Sequence, residues 1–364
     1  MEHSRVQRRG RRRAIDSLLM SFTLSLAGLG TFGCSEPPPP APEHIVYVSG
    51  DGANATTWAL DLTGGAPQRL AASPAGAMPG PAAAPPAEGW FAQIVVENGP
   101  DGHRESLQIV DARNDRALPL GVSAEFVRNP VWLPRGDGLI VESSANSFRD
   151  LYSVRLPSPL PAAAFPAPEA LRLTDAQHGS FDPAISPDST RLAFGSSRDG
   201  NAEVYVQPLA GGAALRLTDN PADDRSPAWR PDGARIAWIA TRDGHPRVWT
   251  MSAEGGDAAP LRRGTTDDLH FAWSPDGRFI AVATLKPPDE VDLYVYDAAR
   301  GVEIGAFADP GAEEHPAWSP TSDRLVFAAS REGNVDLYVG GADGRNVRRL
   351  TTSPLPDWLP RWVW

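Results

Sequence analysis

His270 and His315 lie 45 residues apart, and each stands directly before a short apolar stretch, Phe271-Ala272-Trp273 and Pro316-Ala317-Trp318. Imidazoles at the same place in two copies of one stretch can ligate a metal, carry a proton or offer hydrogen bonds to a partner. In the other copies that place holds Gly80, Asn129, Asp182, Ser226 and Leu359. Asn129, Asp182, Ser226, His270 and His315 thus occupy five consecutive copies with polar side chains, and they are the candidate binding residues. A metal on His270, His315 and Asp182 would suit a divalent transition ion. No short-range ligand spacing accompanies the set, so the expectation is a polar surface around water, with no metal and no cofactor.

A second set is acidic. Asp223, Asp224, Asp267, Asp268, Glu313 and Glu314 come two to four residues before their apolar stretches. Charge runs are usually solvated faces, and these six are expected to form an acidic rim able to attract a basic partner or Ca²⁺. The sequence holds no phosphate-cradling glycine loop and no Gly-x-Ser-x-Gly nucleophile turn. No catalytic residue is assigned.

Both sets are positioned by a repeat. Pro227-Ala228-Trp229-Arg230-Pro231-Asp232-Gly233 has near copies from Phe271 and Pro316 and looser ones from Pro130 and Pro183. A degenerate copy starts at Pro81, and Pro360-Arg361-Trp362 begins one at the end of the sequence. A step in the forties means one supersecondary unit per repeat. Within residues 183–219, apolar runs at 183–186, 191–196, 203–206 and 214–218 are separated by Ser186-Pro187-Asp188, Arg198-Asp199-Gly200-Asn201 and Gly211-Gly212. Proline presets φ in the first turn and glycine permits positive φ in the others. Four antiparallel strands per repeat make an all-β chain with a propeller blade as its unit.

Residues 45–49 and 58–62 read as second and third strands with no anchor before them, and residues 360–364 as an anchor with nothing after it. Joined, they complete one blade and leave no open sheet edge. The expected fold is a seven-bladed β-propeller over residues 44–364, with six blades the alternative because the 79–120 repeat is degenerate. The anchor tryptophans and the third-strand aromatics Tyr152, Tyr205, Trp249, Tyr294 and Tyr338 are expected to pack between blades.

Leu217-Thr218-Asp219, Ser226-Pro227-Ala228-Trp229, Pro231-Asp232-Gly233, and Arg198-Asp199-Gly200-Asn201 followed by Val204-Tyr205-Val206 resemble the PD40 repeats of TolB-like β-propellers. The likeness spans residues 124–364 strongly and 44–123 weakly. It implies the fold, and it implies one of several roles hosted by such blades: protein docking, gating of peptidases, or the body of pectin-degrading lyases.

Charge separates the N-terminal region from the remainder. Residues 1–33 hold six arginines against Glu2 and Asp16, a net of +4, so the remaining residues carry −15 of the total −11. A body this acidic repels phosphate backbones, which argues against nucleic acid as a partner. The arginines and the apolar residues 18–32 read as a signal peptide over residues 1–33. Thr31-Phe32-Gly33-Cys34 resembles the lipobox of bacterial lipoproteins, which implies lipidation of Cys34, the sole cysteine. Residues 34–43, with Pro37-Pro38-Pro39-Pro40 and Pro42, read as a stiff extended linker. The expectation is an exported bacterial lipoprotein, periplasmic or anchored at the outer membrane, touching membrane only through its lipid. It would be a monomeric, non-enzymatic scaffold for an envelope protein or glycan. The alternative is a metal-dependent lyase or hydrolase acting on a sugar polymer at the channel mouth.

Overall fold

The computed structural model describes residues 43–363 apart from 51–54, 72–77, 80–88, 100–101, 146–147, 158–159, 161–167 and 176–177. The leader, Cys34 and the proline run lie outside the described residues, as do Gly80 and the degenerate anchor after it. Every element among the described residues is a strand, and the strands form seven four-stranded antiparallel sheets.

The fourth sheet shows how one repeat becomes one blade. Ser180–Ile185, Arg191–Ser196, Glu203–Pro208 and Leu215–Arg216 pair in chain order. The turn after its first strand is held by side chains. Ser186 Oγ donates to Asp188 at 2.5 Å, and Asp188 accepts the Thr190 N–H at 3.0 Å. These bonds hold the Asp188 carboxyl down to about 2, below the usual carboxylate range. In the next two blades the same turn closes with Gly233 and Gly277 at φ 72° and 69°, where L side chains are strained.

The carboxylate that begins a third strand organises the blade's outer edge. Glu203 accepts Thr218 Oγ1 at 2.5 Å and Arg216 at 2.9 Å, while Thr218 Oγ1 accepts the Val204 N–H. Asp150 with Arg172 and Thr174, and Asp336 with Arg349, repeat the ion pair in the third and seventh blades. The Arg-Leu-Thr triplets are therefore fasteners for the short fourth strand.

Both faces of each sheet are buried, because successive residues on a strand point to opposite sides. Seven apolar clusters result, one at each junction between neighbouring blades. Leu192, Phe194 and Tyr205 pack toward the third blade, whereas Ala193, Val204 and Val206 meet Trp229, Ile236 and Trp238 of the fifth. The anchor indoles add a bond across the junction. Trp229, Trp273, Trp318 and Trp362 donate Nε1–H to the carbonyls of Ala184, Ala228, Ala272 and Ala317, each in the preceding blade, at 3.0, 3.3, 3.0 and 3.0 Å.

Asp357–Val363 is the strand that closes the ring. It pairs with His44–Ser49 and forms one sheet with Thr56–Asp61 and Gln68–Arg69. Ile45, Tyr47 and Trp362 pack on Val326 and Val339 of the seventh blade, and Val46 and Val363 pack on Phe91 and Val110 of the second. The degenerate repeat is nonetheless a blade: Met78–Pro79, Trp90–Gly99, Gly102–Asp111 and Arg116–Ala124 form its sheet. The blade count is seven.

Candidate binding site at the channel mouth

The ring positions are set by a bulge that recurs in five of the innermost strands. Asn129, Asp182, Ser226, His315 and Leu359 all have φ between 48° and 54°. Each is followed by proline, which lacks the N–H that an unbroken ladder needs and is confined to bulges or edges within sheets. Asp182 and Pro183 together face Phe194, and Ser226 and Pro227 together face Trp238. A bulge re-aims side chains. His270, followed by Phe271, pairs normally with Ala283, and its strand slips one residue earlier.

On one side of the ring the polar groups bind one another. Asp182 accepts Ser226 Oγ at 2.9 Å and Ser226 N–H at 3.1 Å, and Asn129 Nδ2 reaches it at 3.3 Å. Glu142 lies beneath and accepts from Asn129 Nδ2 at 2.6 Å and from the Asp182 N–H at 2.7 Å. Three blades are thereby tied around one carboxylate. A cavity of about 260 Å³ runs past Asn129, Asp182, Ser226 and His270.

On the other side His270 and His315 stack, with ring centroids 5.8 Å apart, and His315 meets Trp358 edge-on at 6.5 Å. Burial by the channel walls, and then the nearby Arg361 and His270, push His315 down to about 4. His270 is also lowered, chiefly by desolvation although part of the residue is exposed, with Glu314 pulling it the other way. Both rings are neutral at pH 7. Among the described residues no group of three or more His, Cys, Asp or Glu side chains could hold a metal ion; His270, His315 and Asp182 are not such a group.

The six acidic residues do not form one rim. Asp224, Asp268 and Glu313 are fully buried. Asp224 takes both guanidinium nitrogens of Arg242 at 2.7 and 3.0 Å, Asp268 pairs with Arg262, and Glu313 takes Arg331 at 3.0 Å. Only Asp223, Asp267 and Glu314 reach solvent, with Asp223 paired to Arg225 and Asp267 to His245. The expectation of a continuous acidic rim is corrected to three exposed carboxylates over three structural ion pairs. Adjacent strand residues face opposite sides, so one of each acidic pair had to turn inward.

Sequence reasoning passed over Arg361. It stands where the other blades carry Val131, Ala184, Ala228, Ala272 and Ala317, directly before the anchor tryptophan or its substitute. With His270, His315, Phe271, Trp273, Pro316, Trp318 and Trp362 it lines a second cavity of about 340 Å³. Its Nη1 bonds the Pro360 carbonyl at 2.9 Å, its Nε has no partner, and no ion pair to it occurs among the described residues. Desolvation lowers it to about 10, so it remains a cation at pH 7. The signal was present in the sequence: one repeat replaces a small residue by arginine at a channel-facing place.

Residues 169–286 match the TolB beta propeller domain family, PD40. An uncharacterized protein of Agrobacterium fabrum, Atu1656, is 25% identical over 268 residues, covering 73% of this chain and 72% of that protein. Among solved structures, TolB from Acinetobacter baumannii superposes with a TM-score of 0.53 at 17% identity, over 88% of this chain and 66% of that one. The chain therefore spans a little under two thirds of that TolB. Oligogalacturonate lyase in complex with manganese superposes with a TM-score of 0.61 at 13% identity, over 86% of each chain. At such identities the likeness is one of fold. Blade count and the proline-bulged inner strands agree with the match over residues 169–286, and the chain has a β-propeller fold similar to that of TolB.

Proposed function

We propose that the propeller is a binding scaffold of the bacterial envelope whose channel mouth contacts a protein or glycan partner. The observation that carries this reading is the ring at the mouth. Asn129, Asp182 and Ser226 are locked to one another across three blades, and they line a cavity of about 260 Å³. A surface already held in one arrangement loses little freedom on binding, which favours recognition. Asp182 accepts from Asn129 and twice from Ser226, which holds it as a fixed contact. Export and anchoring through Cys34 belong to the same reading and rest on the leader and the lipobox likeness.

Site-specific photocrosslinking in native envelopes tests it. A crosslinker at Ser226 should capture a discrete partner, whereas one at Asp232, in the turn at the other end of the same inner strand, should not. The rival reading is a metal-dependent lyase or hydrolase, supported by the fold shared with oligogalacturonate lyase. Metal-stimulated cleavage of polygalacturonate by the purified protein, abolished in His270→Ala, would replace the scaffold reading with that one.

A further inference from the structure

Arg361 is anomalous in two ways. It breaks the repeat, since the equivalent residues are alanine or valine in five blades, and among the described residues it is a largely buried cation without a carboxylate. Among the described residues Arg242, Arg262, Arg331 and Arg349 each answer a buried acid, and the half-buried Arg198 and Arg235, which also lack a carboxylate, bond to serine or threonine hydroxyls, whereas Arg361 bonds only the carbonyl of its neighbour Pro360. Removing a charge from water without pairing is costly, and a group kept at that cost points to a use for it.

We infer that the cavity around Arg361 is a carboxylate site, and that it receives the free C-terminus of a peptide chain whose last side chain is apolar. A guanidinium fork matches a carboxylate bidentately. The walls around it are Phe271, Trp273, Trp318 and Trp362, with proline and alanine between them; the indole N–H groups already bond backbone carbonyls, which leaves the two imidazoles as the other polar groups among the described residues that line it. A sugar acid would leave several hydroxyls unanswered there, whereas an apolar side chain would not. His315 also lines a neighbouring cavity of about 250 Å³ walled by Ala328, Val335, Pro356 and Trp358, with Glu314 and Ser330 at its side. That groove is mostly apolar, and it can hold the preceding residues of the same peptide. The neutral imidazoles donate N–H bonds to the bound carboxylate without adding charge when the site is empty.

The inference deepens the binding role proposed above and rests on it. Full-length protein is titrated calorimetrically with N-acetyl-Ala-Phe as the free acid, with the same peptide amidated at its C-terminus, and with galacturonate. The free acid should bind at least tenfold more tightly than the amide, and Arg361→Ala should remove that preference. Arg361→Ala should also melt no lower than wild type, because it restores the residue of the other blades and deletes an unpaired cation. His315→Gln keeps Arg361 and should weaken the acid several-fold. Equal binding of acid and amide, no binding of either, or an Arg361→Ala protein that binds like wild type would overturn the carboxylate site. So would a fall in melting temperature showing Arg361 to be a structural strut. Galacturonate binding more tightly than the peptide acid would overturn the peptide assignment. If crosslinking at Ser226 persists while the acid fails to bind, this inference falls and the broader binding role stands.

Discussion

The indole N–H of Trp362 donates to the carbonyl oxygen of Ala317 at 3.0 Å, across the junction where the last strand meets the seventh blade. The same bond joins Trp318 to Ala272, Trp273 to Ala228 and Trp229 to Ala184. At Trp362 it has an added consequence. Its strand also pairs with His44–Ser49, so one side chain helps hold both ends of the described chain in the ring. Trp362→Ala should destabilise by about 3–5 kcal/mol through the cavity it leaves. Trp362→Phe keeps most of the ring volume and should cost nearer 1–2 kcal/mol through the lost bond and the Ala317 carbonyl left unsatisfied. Chemical denaturation of the two variants separates these contributions; equal losses would show that the bond itself is immaterial.

The buried and exposed acids of one pair should respond very differently to losing their arginines. Arg242 holds the buried Asp224 through two bonds and covers the ring of Trp249 at 5.3 Å. Arg242→Ala leaves that buried carboxylate without a counter-charge, with the Asn220 amide at 2.8 Å as its remaining side-chain donor, and should cost about 3 kcal/mol. Arg225 pairs with Asp223 in solvent, and Arg225→Ala should change stability by less than about 1 kcal/mol. Comparable losses in urea melts would mean that Asp224 draws support from other groups.

Acid should loosen the ring through His315. Its ordinary value is 6.5 and burial holds it at about 4 in the fold. Between these values the unfolded chain takes up a proton that the folded chain refuses, so stability is full above about 6.5 and falls as pH drops toward 4. The limit is about 1.4 kcal/mol per pH unit for one group. His270 acts in the same sense. Glu313, pushed up to about 7 by burial despite Arg331, acts in the opposite one, its contribution being lost as pH rises through that value. Comparing wild type with His315→Gln cancels the shared contributions. The variant should show the shallower loss of melting temperature from pH 6.5 to 4.5, and parallel curves would contradict the assignment.

The lipid anchor has a direct assay. Labelled palmitate should enter the wild-type protein in a bacterial host and not Cys34→Ala, with the variant released from membranes by buffer alone. Label in neither protein would leave Cys34 outside the anchoring mechanism.

Much of the fold was legible because tryptophan and proline mark it. Arg191–Ser196 was read with its bounds intact, since the apolar run Leu192-Ala193-Phe194 sits between two strong turns. The strand before it begins at Ser180, three residues earlier than the apolar run suggests. The cause is the bulge at Asp182 and Pro183: pairing resumes beyond an interruption that looks like a strand start. The ring position was found by spacing alone, as every copy places one residue before the anchor. What spacing could not supply was orientation. Asp223 and Asp224 look alike in sequence, yet the pleat sends one to solvent and the other to Arg242. Arg361 escaped because the copy that contains it is cut short, and only alignment with Ala184, Ala228, Ala272 and Ala317 exposes it as the exception.

Asp182 offers the clearest separation of binding from stability at the mouth. It lies at a bulge and is partly open to the channel, so water can replace it as a partner for Ser226 and Asn129. Asp182→Ala should therefore cost no more than about 1–2 kcal/mol, in line with a few partly exposed hydrogen bonds. The ring, however, loses the one group that spans three blades, and Ser226 and Asn129 regain rotamers that a partner must then freeze at about 0.5–1.5 kcal/mol each. Partner capture from a crosslinker at Ser226 should fall several-fold while the melting temperature moves by only a few degrees. Asp182→Asn keeps one acceptor oxygen for Ser226 and should recover part of the capture. A variant that melts like wild type and captures like wild type would show that the partner does not read the ring's order.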